Sequence, residues 1–124
     1  VYRLRGAIFE VHNEMGNGFL EDVYQECLER ELTKQLIPFV AKMPLNLTYK
    51  GESLIQFYKP DMVCFDKIVV ELKACSALTD EHRAQLLNYL RATKMKLGLL
   101  VNFGRYKRVE IERIVLDPSA SIRV

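Results

Sequence analysis

No stretch of the 124-residue sequence approaches the ~20 consecutive apolar residues that a membrane span needs. No signal-peptide pattern opens it either. Val1-Tyr2-Arg3-Leu4-Arg5 is too charged, and no suitable apolar region follows. Cysteine is scarce: Cys27, Cys64 and Cys75 lack the short spacing of a zinc knuckle or a redox pair. Their odd number and apolar neighbours point to free, mostly buried thiols and a reducing cytoplasm. Gly16 and Gly18 are followed by no phosphate-loop lysine, so they read as punctuation between helices. There is no internal repeat, low-complexity stretch or linker, and residues 1–124 are expected to form one domain. What is present is ordinary for a soluble globular chain: 49% hydrophobic and 27% charged residues. The net charge of +2 neither requires nor opposes a nucleic-acid partner.

Leu4, Ile8, Val11 and Met15 recur at helical spacing and predict an amphipathic helix over 3–15, stopped by Gly16-Asn17-Gly18. A second helix is expected over 19–36, with an apolar face through Leu20, Val23, Tyr24, Cys27, Leu28 and Leu32, ended by Pro38. The period then changes to two. Met43, Leu45, Leu47 and Tyr49 alternate with other residues as in a strand, and Lys50-Gly51-Glu52 makes a turn. A second strand is expected from Leu54 to Phe65, interrupted near Pro60, and a third from Ile68 to Ala74. Thr79 can cap a third helix running to about Met95, with Asp80 and Glu81 favourably placed in its first turn. Leu97 to Phe103 reads as a strand buried on both faces, and Lys107 to Leu116 as an alternating one. The expected order is ααβββαββ, an α/β or α+β domain with helices flanking one central mixed sheet.

Chemistry concentrates in Val70-Glu71-Leu72-Lys73. Residues two apart on a strand share a face, so Glu71 and Lys73 point the same way, with Cα atoms roughly 6.5–7 Å apart. Charges on so apolar a strand need partners or a metal. Asp61 precedes them on the neighbouring hairpin strand. If it reaches the same face, two carboxylates and an ammonium converge, and that set suits Mg²⁺ or Mn²⁺. The condition is one of register. Pairing Cys64 with Ile68 sets Asp61 opposite Glu71, whereas a two-residue turn pairing Phe65 with Ile68 turns Asp61 to the wrong face. An odd-length loop or a bulge is therefore expected between these strands.

Asp61…Glu71-Leu72-Lys73 resembles the motif of the PD-(D/E)XK nuclease superfamily. Gly18-Phe19-Leu20-Glu21-Asp22-Val23-Tyr24 is similar to the signature that names the GxxExxY family within it. Gln85 to Leu90 and Leu97 to Gly104 resemble that family too, so the likeness spans almost the whole chain. The resemblance implies a restriction-endonuclease-like fold. It makes Asp61 and Glu71 metal ligands, Lys73 the catalytic lysine, Glu21 a further acidic ligand from the early helix, and Gln85 a site residue on the helix after the motif strand. It also implies a Mg²⁺- or Mn²⁺-dependent nuclease acting on nucleic acid, with DNA preferred over RNA only by analogy.

Plainer readings accompany each residue. Glu71 with Lys73 alone is an ion pair at the rim of a sheet, and Glu21 alone is an ordinary first-turn carboxylate favoured by the helix dipole. His82, Gln85 and Tyr89 share one stripe of the third helix. His82 is expected at the surface, Gln85 toward the site, and Tyr89 in packing. His12 reads as structural. Cys75 continues the Glu71–Lys73 face if the strand persists, and is expected to be inert. Lys94, Lys96, Arg105, Lys107 and Arg108 form a basic cluster best read as a solvated loop and helix end. Beside the nuclease stand a non-catalytic nucleic-acid-binding or assembly module and a hydrolase of a smaller phosphate ester. A homodimer is expected weakly, because cutting both strands of a duplex usually takes two copies of so small a domain.

Overall fold

The computed structural model describes residues 1–116. The end of the expected 1–124 domain, residues 117–124, lies outside them. Two antiparallel-packed helices come first: α1 (Tyr2–Met15) and α2 (Glu21–Lys34). They are joined where Gly16 and Gly18 take φ values of 71° and 115°, which side chains with a Cβ rarely adopt. α1 buries Leu4, Ala7, Ile8 and Val11, and α2 buries Tyr24, Leu28 and Leu32, as their periods imply, but Leu20, expected on the second face, precedes α2 and is exposed.

Strands β1 (Phe39–Ala41), β2 (Leu45–Tyr49), β3 (Glu52–Tyr58), β4 (Met62–Cys64) and β5 (Ile68–Lys73) follow. Helix α3 (Asp80–Thr93) then leads to β6 (Leu97–Asn102) and β7 (Glu110–Val115). The expected order held three strands between the second and third helices, and the structure has five. β1 is a short strand that pairs with β4. The stretch read as one interrupted strand is two strands in two sheets: β2 and β3 form a separate hairpin, while the main sheet runs β1-β4-β5-β6-β7. Lys59-Pro60 makes the break, because proline cannot donate to a ladder and disfavours helical backbone before it.

Within the main sheet β5 and β6 are parallel, with α3 as their crossover, and the other pairs are antiparallel. The two apolar layers follow strand alternation. Met62, Cys64, Ile68, Val70, Leu72, Leu99 and Val101 pack toward α1 and α2. Val63, Val69 and Leu100 pack toward α3 and the hairpin, with Tyr58, Leu86 and Leu90. β5 is thus covered on both faces, and Glu71 and Lys73 share the parity of Val69 on the α3 side. The hairpin lies against α3 through Met43, Leu45 and Leu47. Its turn is the Lys50-Gly51 pair, both at positive φ, between the paired Tyr49 and Glu52.

The cysteines are free, as expected, but only Cys64 is fully buried; Cys27 and Cys75 are half-buried. Burial pushes the Cys64 thiol up to about 12, which makes it unreactive.

Candidate active site

Register brings the site together. Cys64 pairs with Ile68 across a three-residue loop, and Met62 pairs with Val70. Continuing that ladder by one residue sets Asp61 opposite Glu71. Phe65 and Asp66 hold the loop with φ values of 55° and 59°, so its odd length comes at some backbone strain.

Each carboxylate is oriented by the other's strand. The Asp61 amide donates to Glu71 Oε1 at 2.8 Å, and the Leu72 amide donates to Asp61 Oδ2 at 2.7 Å. Lys42 caps the remaining Asp61 oxygen, with Nζ 2.6 Å from Oδ1. The Lys42 amide also donates to the Asp61 carbonyl, and its backbone is left-handed at φ 55°. The Nζ bond to the Asp61 carboxylate raises the Lys42 ammonium above its usual range. Glu71 is pushed up to about 7, first by burial and then by the negative charge of Asp61. The Lys73 charge acts the other way, yet neither Glu71 nor Lys73 belongs to an ion pair among the described residues. The plainer account of this pair, a salt bridge on the sheet rim, is therefore absent.

Opposite Glu71 and Lys73, α3 presents His82, Gln85 and Tyr89, and these residues with Tyr58, Leu86 and Leu100 line a cleft of about 10 Å³. Such a volume holds roughly one water molecule. Tyr58 stacks on Tyr89 with ring centroids 3.9 Å apart, so Tyr89 packs as expected. The buried Tyr58 hydroxyl lies against Glu71 but outside hydrogen-bond geometry, and so has no partner. Burial first and the Glu71 charge second raise its phenol. His82 sits in the first turn of α3 and closes a capping box: its Nδ1 accepts from the Thr79 amide, and the Thr79 hydroxyl accepts from the His82 amide. Gln85 is exposed at the mouth of the cleft.

Glu21 is not gathered with the pair. It is exposed at the first position of α2, and no group of three or more metal-ligating side chains exists among the described residues. One turn further on, Gln25 is buried and donates to the Asp61 carbonyl at 2.9 Å. The available signal was a polar residue between Tyr24 and Leu28 on an apolar stripe. Tyr24 itself, the last residue of the Gly18–Tyr24 motif, does structural work. It stacks on Phe103 at 4.5 Å, donates to the Gly16 carbonyl and accepts from the Phe19 amide, which pins the turn between the helices.

Asn102 was also passed over as a single residue. Fully buried at the end of β6, it bonds the Cys75 amide, the Cys75 carbonyl, the Gly104 amide and Glu110. Glu110 in turn accepts from the Leu78 amide and from Arg105. This network fixes the segment that leads from Lys73 to α3. Gly104 belongs to it, since a Cβ there would lie 2.4 Å from the Cys75 backbone. β5 ends at Lys73, so Cys75 does not extend the Glu71–Lys73 face. Arg83 closes the far side with a bidentate pair to Glu112 on β7.

A converging Asp and Glu, a lysine without an anionic partner, and a strand–helix–strand frame behind them are the arrangement that the sequence motif implied. The profile of the PD-(D/E)XK nuclease superfamily matches residues 1–114. The chain belongs to that superfamily. Its fold is shared with the crystal structure of SSO0001, at a TM-score of 0.59 and 21% identity, over 82% of this chain and 52% of that one. It is also shared with an alkaline exonuclease (LHK-Exo) from Laribacter hongkongensis, at a TM-score of 0.53 and 14% identity, over 75% of this chain and 54% of that one. The matched region thus spans about half the length of either protein. No curated protein matches the chain.

The superfamily generally uses divalent metal ions, and the residues here fit one. Two converging carboxylates, with Glu71 raised by burial and by the Asp61 charge, offer hard oxygens and need a counter-charge. A pair of that kind suits an ion of the Mg²⁺ class, which retains several waters. It does not suit a four-ligand zinc site.

Proposed function

We propose that the chain is a metal-dependent nuclease of the GxxExxY type that hydrolyses phosphodiester bonds in nucleic acid, DNA more readily than RNA. The observation that carries the reading is the reciprocal Asp61–Glu71 arrangement, with the unpaired Lys73 beside it at a cleft sized for one water. Asp61 and Glu71 would hold Mg²⁺ or Mn²⁺, with Glu21 as a further acidic ligand on the same stripe of α2 as Gln25. Bound there, the ion would supply activation of water and neutralisation of phosphate charge. Lys73 donates to the attacking water or to the phosphate oxygens, since no carboxylate among the described residues holds its ammonium. Gln85 orients the same water from α3. Asn102 and Glu110 keep Lys73 at the mouth by fixing the backbone after it.

The cleft is too small to enclose a phosphate ester of any kind, so the scissile phosphate would lie outside it, over Glu71 and Lys73. A larger concavity of about 560 Å³ lies along α2 between Glu26, Arg30 and Phe39, without converging catalytic groups. One observation favours a second reading, a non-catalytic nucleic-acid-binding module. Both Asp61 oxygens already have protein partners, so an ion would share Oδ1 with the Lys42 ammonium and meet its charge. The protein is proposed to act in the cytoplasm. No helix among the described residues is long and apolar enough to cross a membrane. A homodimer is the proposed assembly.

Calorimetric titration of Mn²⁺ into wild type and Asp61→Ala tests the proposal, followed by incubation of both with labelled single- and double-stranded DNA and RNA. The expected outcome is metal binding and cleavage by wild type alone. Absence of both in wild type transfers the chain to the binding-module reading.

A further inference from the structure

The β2–β3 hairpin has one face against α3, and no element packs on the other among the described residues. On the open side stand Ile55, 93% exposed, and Phe57, 49% exposed, whereas Tyr49 near the turn has the alternation of Leu45 and Leu47. Among the described residues this sheet contains only the two strands, which leaves each with an unpaired edge. An exposed apolar edge of this length invites a partner. The cations nearby define its chemistry. Lys59 Nζ lies 5.2 Å from the Phe57 ring centroid, and Lys50 Nζ lies 5.5 Å from the Tyr49 centroid. Each exposed ring thus carries an ammonium at its face. Glu52 is the one acidic residue among positions 42–60, against Lys42, Lys50 and Lys59. A ring beside a cation on this open face offers stacking for a base and a charge for the adjoining phosphate. The arm is also continuous with the candidate site, because Phe57 and Lys59 flank Tyr58, which lies against Glu71, and Asp61 follows Pro60.

We infer that this hairpin is a binding arm for an unpaired nucleic-acid strand, with Phe57 stacking on a base and Lys59 holding the neighbouring phosphate. The inference deepens the proposed function by naming the substrate form, and its binding half is independent of cleavage. A duplex is a poor occupant, because its bases are covered by one another and leave the rings no face to stack on.

The test is fluorescence anisotropy of labelled oligo-dT, oligo-U and a DNA duplex in EDTA, so that hydrolysis plays no part. Wild type is expected to bind the single strands more tightly than the duplex, with oligo-dT against oligo-U deciding between DNA and RNA. Phe57→Ala is expected to weaken single-strand binding by about fivefold or more. Lys59→Gln should weaken it and lower the salt dependence. The chain has no tryptophan, so Phe57→Trp supplies a single emission probe that stacking should quench while affinity is kept. Melting temperature controls for folding. Equal affinity in Phe57→Ala, or no quenching in Phe57→Trp, overturns the inference. A dimer in light scattering that Ile55→Ala or Phe57→Ala splits, with strand affinity unchanged, assigns the face to a second copy and overturns it too. Cleavage by wild type with no role for Phe57 removes the arm and leaves the nuclease. Binding that depends on Phe57 without cleavage removes the nuclease and leaves the arm.

Discussion

Removing the Glu71 charge should make the metal-free protein more stable while abolishing its chemistry. Glu71→Gln keeps the Oε1 atom that accepts from the Asp61 amide, so the backbone arrangement survives. What disappears is an ionised carboxylate that is costly to hold beside Asp61. Its folded pKa of about 7, against 4.5 in an unperturbed carboxyl, means that the folded state binds the proton more tightly than the unfolded one. The penalty is absent below about pH 4.5, grows through the interval, and is fully present above about pH 7. At ~1.4 kcal/mol per pKa unit the ceiling is on the order of 3 kcal/mol, and partial solvation of the site brings the expectation to about 1–3 kcal/mol. For a domain of this size that is a rise of roughly 3–12 °C in Tm at pH 8. The assay is thermal unfolding of both proteins in EDTA at pH 4.5 and pH 8. The variant's advantage should be large at pH 8 and nearly gone at pH 4.5. Equal advantage at both pH values, or none at pH 8, refutes the account of Glu71 as a carboxyl held at a cost. Adding Mn²⁺ at pH 8 should reverse the order, since an ion that binds only the native wild type stabilises it by mass action.

Asn102→Ala should cost about 2–4 kcal/mol in urea unfolding, because it strands buried groups of Cys75 and Glu110 as well as removing the amide. His82→Gln should preserve the capping box, since glutamine can accept from the Thr79 amide as the imidazole does. His82→Ala should lose about 1 kcal/mol, and a Tm comparison of the two variants decides whether the ring is there for the helix start alone.

Local chemistry made some of this fold legible. The Thr79 cap, the glycine stop after Met15, the Lys50-Gly51 turn and the apolar β6 were readable because each depends on neighbouring residues. The register of β4 on β5 could be posed as a choice between two loop lengths, and the odd one is found. The strand count was not readable. β1 is only three residues long, and its partner β4 lies beyond the whole hairpin. Leu54 to Phe65 has one continuous apolar pattern, and which sheet each half joins is decided by packing on α3 or on α2. For the site, the linear order of Asp61, Glu71 and Lys73 carried the motif. Lys42 on the Asp61 oxygen, Gln25 on the Asp61 carbonyl and Tyr24 on Phe103 join residues far apart in sequence; the stripe of α2 marks Gln25 and Tyr24 as inward-facing but not what they meet.

The loop of Phe65, Asp66 and Lys67 touches none of the chemistry, yet it determines whether the two carboxylates meet. Strand parity makes its length a switch between two kinds of protein. Inserting or deleting one residue would swap the faces of β4 and leave Asp61 among the apolar side chains that cover α1 and α2. A change of two would return it to the same side at a shifted height. Tolerance to insertion in this loop should therefore alternate with the parity of the insert, a pattern ordinarily expected of a packed strand and not of a surface turn.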